Sequence, residues 1–349
     1  MTMHLEIEGR AIGRGLPPYV IAELSGNHQG DIARALRLIE VAKEAGADAV
    51  KLQTYTADTI TIDYDGPDFV IKGGLWNGRR LHELYSEAHT PWDWHPALFE
   101  HARKLGITCF SSPFDSTAID LLERLRAPAF KIASFEIVDT PLIRQAARSG
   151  KPLVISTGMA SPAEIADAVV AAREGGAGGF ALLHCVSGYP TPADEANLAR
   201  IPALAAIYDC PIGLSDHTLG IEVAITSVAL GATIIEKHLT LARADGGPDA
   251  AFSLEPAEFN ALVKGVHTAF SALGTGSEAR SSVEAGSMMF RRSLYAVADI
   301  GKGGVFTADN IRSIRPGHGL PPKHLPEILG KRARSDIARG TPLAFDLVE

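Results

Sequence analysis

The sequence predicts an α/β fold, a (β/α)8 TIM barrel followed by a small C-terminal domain. Between residues 19 and 240, short apolar or β-branched runs alternate with longer amphipathic stretches, which is typical of repeated βα units. No glycine-rich phosphate-binding motif follows the first run, so a doubly wound open sheet is the less favoured alternative. A length of 349 residues suits one barrel with an appended domain.

Eight runs are predicted as the barrel strands. Each is almost continuously apolar, as expected for parallel strands that are buried on both faces. In chain order, the runs begin at Tyr19, Asp48, Ile107, Ala129, Pro152, Gly179, Pro211 and Ala232.

An amphipathic stretch follows every predicted strand, and three of these helices have well-marked ends. They are expected over residues 31–46, 161–176 and 255–274, and each ends at a glycine. The second begins with Ser161 and has Glu164 three residues later, which is the pattern of a capping box.

Two segments interrupt the repeat. An insertion between the second and third strands contains all three tryptophans, Trp76, Trp92 and Trp94, and is interpreted either as a lid or substrate wall or as ordinary packing. After Gly274 the apolar periodicity stops, so we expect a barrel over 1–274, a linker over 275–290 and a small domain over 291–349. A domain of that size should lean on the barrel of its own subunit or of a partner.

The composition excludes several classes of protein. A net charge of −8, from 33 Lys and Arg against 41 Asp and Glu, disfavours nucleic acid and anionic membranes as partners. No apolar run reaches the roughly 18 uncharged residues of a membrane helix, and the N-terminal residues lack the apolar core of a signal peptide, so we expect a cytoplasmic protein. The cysteines, Cys109, Cys185 and Cys210, lie far apart in apolar stretches and are expected to be reduced core thiols.

Polar residues end most of the predicted strands, at the end where a barrel builds its active site. We expect them to form a single polar mouth. They are Glu23, Lys51, Gln53, Ser111, Ser112, Lys131, Ser134, Glu136, Ser156, Thr157, His184, Ser187, Tyr189, Ser215, Asp216, His217, Glu236, Lys237 and His238, with Asn27 and His28 in the first loop.

Two of the chain's twelve histidines differ from the other ten. His217 and His238 lie at the tips of the adjacent seventh and eighth strands, where their imidazoles can converge on one ion. Two imidazoles with carboxylate and water oxygens suit a catalytic divalent metal that keeps open positions. Asp249 is expected either to join them or to act as a base.

Lys51 and Lys131 lie within apolar strands, where an ammonium group is costly unless an anion pairs with it. One interpretation is an anion clamp, assisted by Ser112, Ser134, Ser156 and Ser215. A second is an internal ion pair with Glu23 or Glu136. A third is a Schiff-base lysine of depressed pKa.

The motifs that carry these residues resemble a known family. They read AELSGNHQG, DAVKLQ, FSSPFD, KIAS, STGM, HCVSGYPTP, GLSDHT and EKHLT, followed by GPD and RPGHG. In this order they resemble the bacterial sialic-acid synthases over nearly the whole chain. That family joins a metal-dependent (β/α)8 barrel to an antifreeze-like domain, and it condenses phosphoenolpyruvate with an acetamido sugar to give a nonulosonic acid and phosphate.

Two motifs point to a subgroup of that family. The form AELSGNH and the block GGLWNGRRLHELYSEAHTPWDWH are most similar to members whose acceptor is 2,4-diacetamido-2,4,6-trideoxy-L-altrose. Synthases of N-acetylneuraminate or legionaminate, with the same chemistry and a different acceptor, are the alternative. A Schiff-base pyruvate lyase and a non-catalytic sugar-binding protein are further alternatives.

The resemblance also implies roles for individual residues. It implies a divalent ion, Mn²⁺ or Mg²⁺, at His217 and His238, and phosphoenolpyruvate at Lys51, Lys131, Ser134 and Ser156, with Ser112 and Ser215 beside them. It places the acceptor sugar and a metal-bound water near Glu23, Gln53, Glu136, Tyr189, Asp249 and Phe290. Arg315, in RPGHG, would be supplied by the neighbouring subunit of a domain-swapped homodimer. Sialic-acid synthases tend to carry Asn where Ser187 or Gly188 stands here, a departure that fits a different acceptor.

Overall fold

The computed structural model describes residues 4–349. The chain divides into two compact units, the first ending at Gly274 and the second beginning at Thr275. Within the described residues, no helix is both long enough and apolar enough to cross a membrane.

The first unit opens with a small antiparallel hairpin that the sequence analysis did not identify. Its strands are β1 (Leu5–Ile7) and β2 (Arg10–Ile12). Leu5, Ile7 and Ile12 are buried in one cluster with interior barrel side chains such as Tyr19 and Phe110. The hairpin therefore contributes to the packed interior of the barrel, beside the residues that begin the first barrel strand.

Eight parallel strands form a closed barrel, which confirms the predicted fold. Every strand pairs with the next in sequence, and the last pairs with the first. The strands are β3 (Tyr19–Glu23), β4 (Ala49–Thr54), β5 (Thr108–Pro113), β6 (Phe130–Ile132), β7 (Leu153–Ser156), β8 (Phe180–Cys185), β9 (Ile212–Asp216) and β10 (Ile234–His238).

Helices follow all eight barrel strands, also as predicted. They are α1 (Ile32–Glu44), α2 (Ala57–Ile60), α3 (Leu81–Ala88), α4 (His95–Leu105), α5 (Ser116–Arg124), α6 (Thr140–Arg148), α7 (Pro162–Gly175), α8 (Arg200–Ile207), α9 (Glu222–Ala229) and α10 (Pro256–Leu273). The capping box of Ser161 and Glu164 starts α7, and Gly176 ends it in the left-handed conformation.

The insertion after β4 holds α2, α3 and two short 3-10 turns, Pro67–Phe69 and Trp92–Trp94. The predicted insertion, which takes up everything between the second and third barrel strands, is too long. Its C-terminal part is α4, the barrel helix that precedes β5. Its start at His95 lies directly after the two neighbouring tryptophans, so the excursion ends at Trp94.

Side chains alternate between two cores along each barrel strand. Ile21, Ala49, Phe110, Val154 and Leu183 are among those that fill the interior, while their sequence neighbours pack outward against the helices. This alternation decides which polar residues at the strand ends can face the barrel mouth.

The second unit has its own apolar core around Leu294, Phe306, Ile311 and Leu343. Its regular elements are β11 (Ser293–Ala296), β12 (Ile311–Ile314) and α11 (Leu325–Ile328). Residues Ser282–Phe290, expected to be linker, form a 3-10 segment that opens with its own capping box. The lack of apolar periodicity hid this segment, because none of its side chains is buried.

Candidate active site

The inward-facing polar side chains at the carboxyl ends of the barrel strands converge on one buried cluster. Lys51 of β4 forms an ion pair with Glu23 of β3. Its Nζ also lies 3.6 Å from Oε1 of Glu236, on β10, and 3.3 Å from Oγ of Ser112, on β5. Contacts across four strands place this ammonium at the centre of the mouth.

Lys131 enters the same cluster from β6. Its Nζ donates to Oγ of Ser156 at 2.6 Å and lies 3.8 Å from Oε1 of Glu236. Burial lowers the pKa of Lys131, while the nearby Glu236 carboxylate opposes the shift. For Lys51 the interpretation as an internal ion pair is what the structure shows, since Glu23 is its partner.

Glu236 is the residue whose importance the sequence analysis missed. It had been placed among the strand-end residues without a role, yet its carboxylate lies between both lysines and accepts from Oγ of Ser215 at 3.3 Å. Burial would raise its pKa, but Lys131 and Lys51 outweigh burial and hold the pKa of Glu236 below its ordinary value. The motif EKH carried the signal, because Glu236 and His238 lie two residues apart on one strand face.

Two further carboxyls at the mouth are weak acids. Burial raises the pKa of Glu23 to about 7 against the opposing charge of Lys51, and burial raises the pKa of Glu136 to about 7 against Lys131. Gln53 donates to Oε1 of Glu23 at 3.0 Å. Near neutral pH both carboxyls can therefore exchange a proton, as a general base or acid requires.

The two imidazoles predicted at the tips of neighbouring strands do meet, with ring centroids 5.4 Å apart. His217 donates from Nδ1 to the Val186 carbonyl at 3.0 Å, and Nδ1 of His238 lies 3.3 Å from Oγ of Ser25. Burial holds the pKa of His238 well below its ordinary value, and the neighbouring His217 adds to the shift. Nδ1 is thus engaged on both rings, which leaves each Nε2 to a ligand.

An aromatic wall flanks these imidazoles. Tyr189 lies 4.5 Å from His217 and 5.3 Å from Phe252 between ring centroids, and Phe252 lies 4.9 Å from His238. Trp76, from the insertion, lies 5.5 Å from Tyr189 and donates from Nε1 to the Pro248 carbonyl at 3.0 Å. Of the two interpretations of the insertion, this contact supports a substrate wall for Trp76, whereas Trp94 packs against His28.

Ser134 and Ser187 lie close together around Gly158. The Gly158 N–H donates to Oγ of Ser134 at 3.1 Å, and a Cβ at Gly158 would collide with the hydroxyls of both serines. Asp249 is half-buried after β10. Burial raises its pKa, against hydrogen bonds from Ser25 and Gly26 and the charge of His217.

The comparisons with known proteins agree with this geometry. Residues 38–278 match the NeuB family, and residues 291–349 match the SAF domain. The chain is 45% identical over 325 residues to a pseudaminic acid synthase of Campylobacter jejuni subsp. jejuni serotype O:23/36, covering 93% of this chain and 95% of that protein. The chain belongs to the NeuB family. This confirms the resemblance to the sialic-acid synthases.

Two other NeuB-family relatives extend the agreement to a second genus and to an experimental structure. A pseudaminic acid synthase of Helicobacter pylori is 44% identical over 335 residues, which is 95% of this chain and 98% of that protein. The crystal structure of an N-acetylneuraminic acid synthetase from Leptospira borgpetersenii serovar Hardjo-bovis is 34% identical, with a TM-score of 0.74, and covers 82% of this chain and 95% of that chain.

Not every polar residue at the strand ends of this NeuB-family barrel faces the mouth, and the expectation of a single polar mouth was wrong for several. Their places in the strand alternation turn them outward. His184 bonds the Ala196 carbonyl, Ser111 bonds Thr54, Thr157 bonds the Leu183 carbonyl, and Asp216 pairs with Lys237.

The two residues of the first loop, Asn27 and His28, are both buried. Asn27 donates to the Leu239 carbonyl and to Ser253, and His28 accepts from the Gly30 N–H, so both have structural partners.

Cys185 occupies the inward position next to His184, with Sγ 3.8 Å from Nδ1 of His217. Phe290 and Arg315 belong to the second unit, Phe290 closing its 3-10 segment and Arg315 following β12.

The cysteines are free, with Cys109 and Cys185 buried and Cys210 half-buried, in line with reduced thiols. Among residues 4–349, no three His, Cys, Asp or Glu side chains lie close enough together to form a complete metal cage. Any ion at His217 and His238 would therefore need further ligands from water or substrate.

Proposed function

We propose that this chain is a pseudaminic acid synthase. It would condense phosphoenolpyruvate with 2,4-diacetamido-2,4,6-trideoxy-L-altrose and water, giving a nonulosonic acid and phosphate. The observation that carries the proposal is the buried pair of ammonium groups, Lys51 and Lys131, in one barrel mouth with two imidazoles. The relatives named as pseudaminic acid synthases, 44–45% identical over more than nine-tenths of the chain, support the choice of acceptor.

The lysine cluster supplies the anion site. Lys51 and Lys131 are buried with Glu236, which the two lysines keep ionised, and with Glu23, whose pKa of about 7 leaves it partly neutral. When both lysines are protonated, their two positive charges are balanced by the carboxylate of Glu236 and only in part by Glu23, which favours an anion at this site. Ser112, Ser134, Ser156 and Ser215 line the same region and can donate to the phosphate and carboxylate.

His217 and His238 would hold a divalent ion, Mn²⁺ or Mg²⁺. Their fit rests on the hydrogen bonds at Nδ1, which orient each ring as in metal-binding histidines, and on the neutral state that burial imposes on His238. When bound, such an ion supplies Lewis-acid polarisation of the acceptor's carbonyl group.

The chain's own residues would orient the two substrates and transfer protons. C3 of phosphoenolpyruvate attacks the aldehyde carbon of the acceptor, water then adds at C2, and the C2–O bond breaks to release phosphate. Glu23 or Glu136 accepts one proton of that water and passes it to the oxygen of the former aldehyde, which becomes a hydroxyl, while the second proton leaves with the phosphate. Both carboxyls titrate near neutral pH, as this transfer requires. The buried Oε2 atom of Glu136 has no hydrogen-bond partner among the described residues, so it is free to receive the proton. Gln53, Tyr189, Asp249 and Phe290 would position the acceptor.

The test is phosphate release from phosphoenolpyruvate with a panel of acceptors in the presence of Mn²⁺. The altrose derivative should give the highest kcat/KM, ahead of N-acetylmannosamine and of the epimer used by legionaminate synthases, and a chelator should stop the reaction. A preference for another sugar would reassign the acceptor. Sugar affinity without phosphate release would favour a non-catalytic sugar-binding protein.

Replacing His238 with Ala should abolish turnover and leave the circular dichroism spectrum and Tm close to those of the wild type. In the described part of the chain the only side-chain hydrogen bond of His238 is to Ser25, and His238 lies at the carboxyl end of β10, so the barrel should tolerate its loss. A normal rate in His238→Ala would remove the metal site from the mechanism.

One observation favours a second enzyme class. The depressed pKa of Lys131 is also what a Schiff-base pyruvate lyase needs. Borohydride reduction in the presence of pyruvate, followed by peptide mass mapping, should leave Lys131 unmodified under our proposal. Lys237, at the end of β10, is a poor candidate for a Schiff base, because it faces outward and is paired with Asp216.

We also propose that the enzyme works in the cytoplasm as a domain-swapped homodimer in which Arg315 completes the partner's active site. The RPGHG motif around Arg315 and the match of residues 291–349 to the SAF domain support this arrangement.

A further inference from the structure

A buried ion pair lies directly behind the two imidazoles, on the outer face of the barrel. Asp216 of β9 and Lys237 of β10 are partners in the strand register, and Nζ of Lys237 donates to Oδ2 of Asp216 at 2.5 Å. Side-chain exposure is 0% for Lys237 and 2% for Asp216. Neither side chain can reach the mouth, because their neighbours Ser215 and Glu236 occupy the inward positions.

The pair is part of a closed hydrogen-bond network. Nζ of Lys237 also donates to the Thr218 carbonyl at 2.6 Å. Oδ1 of Asp216 accepts from the Thr218 N–H at 3.0 Å and from the Thr218 hydroxyl at 2.8 Å. Asp216 and Thr218 are therefore both fixed, and the residue between them is His217.

The network reaches the second imidazole through the chain. Lys237 immediately precedes His238 in the chain. Its side chain donates hydrogen bonds to Asp216 and to Thr218, the two residues on either side of His217. An apolar pair of similar volume would stabilise the interface between strands and helices at least as well, because burying two charges is costly. An ion pair at this position is better explained by the geometry it imposes than by stability.

We propose that Asp216 and Lys237 are positioning residues, whose network sets the separation of His217 and His238 for a divalent cation. This inference rests on the metal site of the proposed function. Lys51 and Lys131, the two ammonium groups of the anion site, lie on other strands, so phosphoenolpyruvate binding should depend on the pair less than metal binding does. A loss of metal affinity that is larger than any change in phosphoenolpyruvate binding would distinguish positioning of the histidines from a general contribution to folding.

The experiment compares Mn²⁺ binding, measured by electron paramagnetic resonance of free Mn²⁺ without substrates, in the wild type and in Asp216→Leu/Lys237→Met. The double variant should keep its Tm within a few degrees and bind Mn²⁺ about tenfold more weakly, as for other residues that orient metal ligands. In steady-state assays, the Mn²⁺ concentration for half-activation should rise by the same factor, while KM for phosphoenolpyruvate should change by a clearly smaller factor.

A second ion pair offers a matched control at the other end of the barrel. Arg10 pairs with Asp48, which also accepts from the Val20 N–H at 2.8 Å, beside the first residues of β3 and β4. The variant Arg10→Met/Asp48→Leu should lower Tm and leave Mn²⁺ affinity unchanged.

The possible results separate the positioning role of Asp216 and Lys237 from the proposed metal site. Wild-type binding of Mn²⁺ with equal affinity in Asp216→Leu/Lys237→Met would overturn the positioning role and leave the proposed function standing. Absence of Mn²⁺ binding by the wild type would overturn the metal site and the inference with it. If the double variant does not fold, Thr218→Val decides, because it removes only the hydroxyl donor to Asp216. Its Mn²⁺ affinity should fall about three- to fivefold, and an unchanged affinity would contradict the proposal.

Discussion

Glu23 and Glu136 are carboxyls that burial keeps partly protonated near neutral pH. Both lie near lysines, which favour the ionised carboxylate. Desolvation outweighs the attraction of the ammonium groups in both cases, and the result is a pair of groups that can take a proton from water. The same shift makes the folded state hold protons that the unfolded chain has already lost.

Glu136→Gln should therefore change the pH dependence of stability. The folded pKa is about 7 against an ordinary value of 4.5, so the folded state binds more protons between these values and wild-type stability falls as pH rises through that window. Glu136→Gln removes this loss. The free energy of unfolding of the variant minus that of the wild type should therefore be larger at pH 8 than at pH 5, by up to about 3 kcal/mol.

Urea denaturation at the two pH values measures this difference. Glu278→Gln, at an exposed position of the second unit, is the control and should show the same difference as the wild type. An unchanged pH dependence in Glu136→Gln would mean that Glu136 is ionised in the folded state, and Glu23 would then be the better candidate for the base.

The insertion after β4 contacts the barrel mouth through Trp76. Trp76 binds the Pro248 carbonyl, next to Asp249, and stacks near Tyr189. A segment that contacts both the loop after β8 and the loop after β10 can shape the acceptor site without touching the lysines.

Trp76→Phe removes the indole donor and keeps an aromatic face, so KM for the acceptor sugar should rise about fivefold, the equivalent of one hydrogen bond. Trp76→Ala should raise it further, and KM for phosphoenolpyruvate should stay constant in both. Trp92→Phe is the matched control, because Nε1 of Trp92 has no hydrogen-bond partner among the described residues. Equal kinetics for Trp76→Phe and the wild type would show that the wall plays no part in acceptor binding.

The barrel elements could be predicted from the sequence because each strand is a continuous apolar run closed by polar residues. That same continuity concealed which residues face inward, since strands buried on both faces show no alternation. For this reason the sequence alone predicts at the mouth four residues that the structure turns outward, namely His184, Ser111, Asp216 and Lys237. The hairpin β1–β2 escaped prediction because strands of three residues are too short for a period to appear.

In the proposed dimer, the second unit of each chain serves the barrel of the partner subunit. The mouth residues from β3 to β10 all come from the barrel unit, whereas Arg315 comes from the unit that begins at Thr275. A domain-swapped dimer would bring an arginine from each chain to the other chain's substrate.

Mixed dimers test this arrangement. Arg315→Ala and His238→Ala should each be nearly inactive alone. When the two are mixed and allowed to exchange subunits, one site in a heterodimer regains both residues, so about a quarter of wild-type activity should return for random exchange. If Arg315 serves its own subunit, every site lacks one residue and no activity returns.

The most direct measurement concerns the bond that breaks. Phosphoenolpyruvate carrying 18O in the bridging oxygen between C2 and phosphorus is turned over with the altrose derivative, and the phosphate is examined by 31P nuclear magnetic resonance. The proposed chemistry at Lys51, Lys131 and the two imidazoles adds water at C2 and breaks the C2–O bond, so the phosphate should retain the 18O. Phosphate free of the label would mean that phosphorus is attacked instead, and would contradict the account.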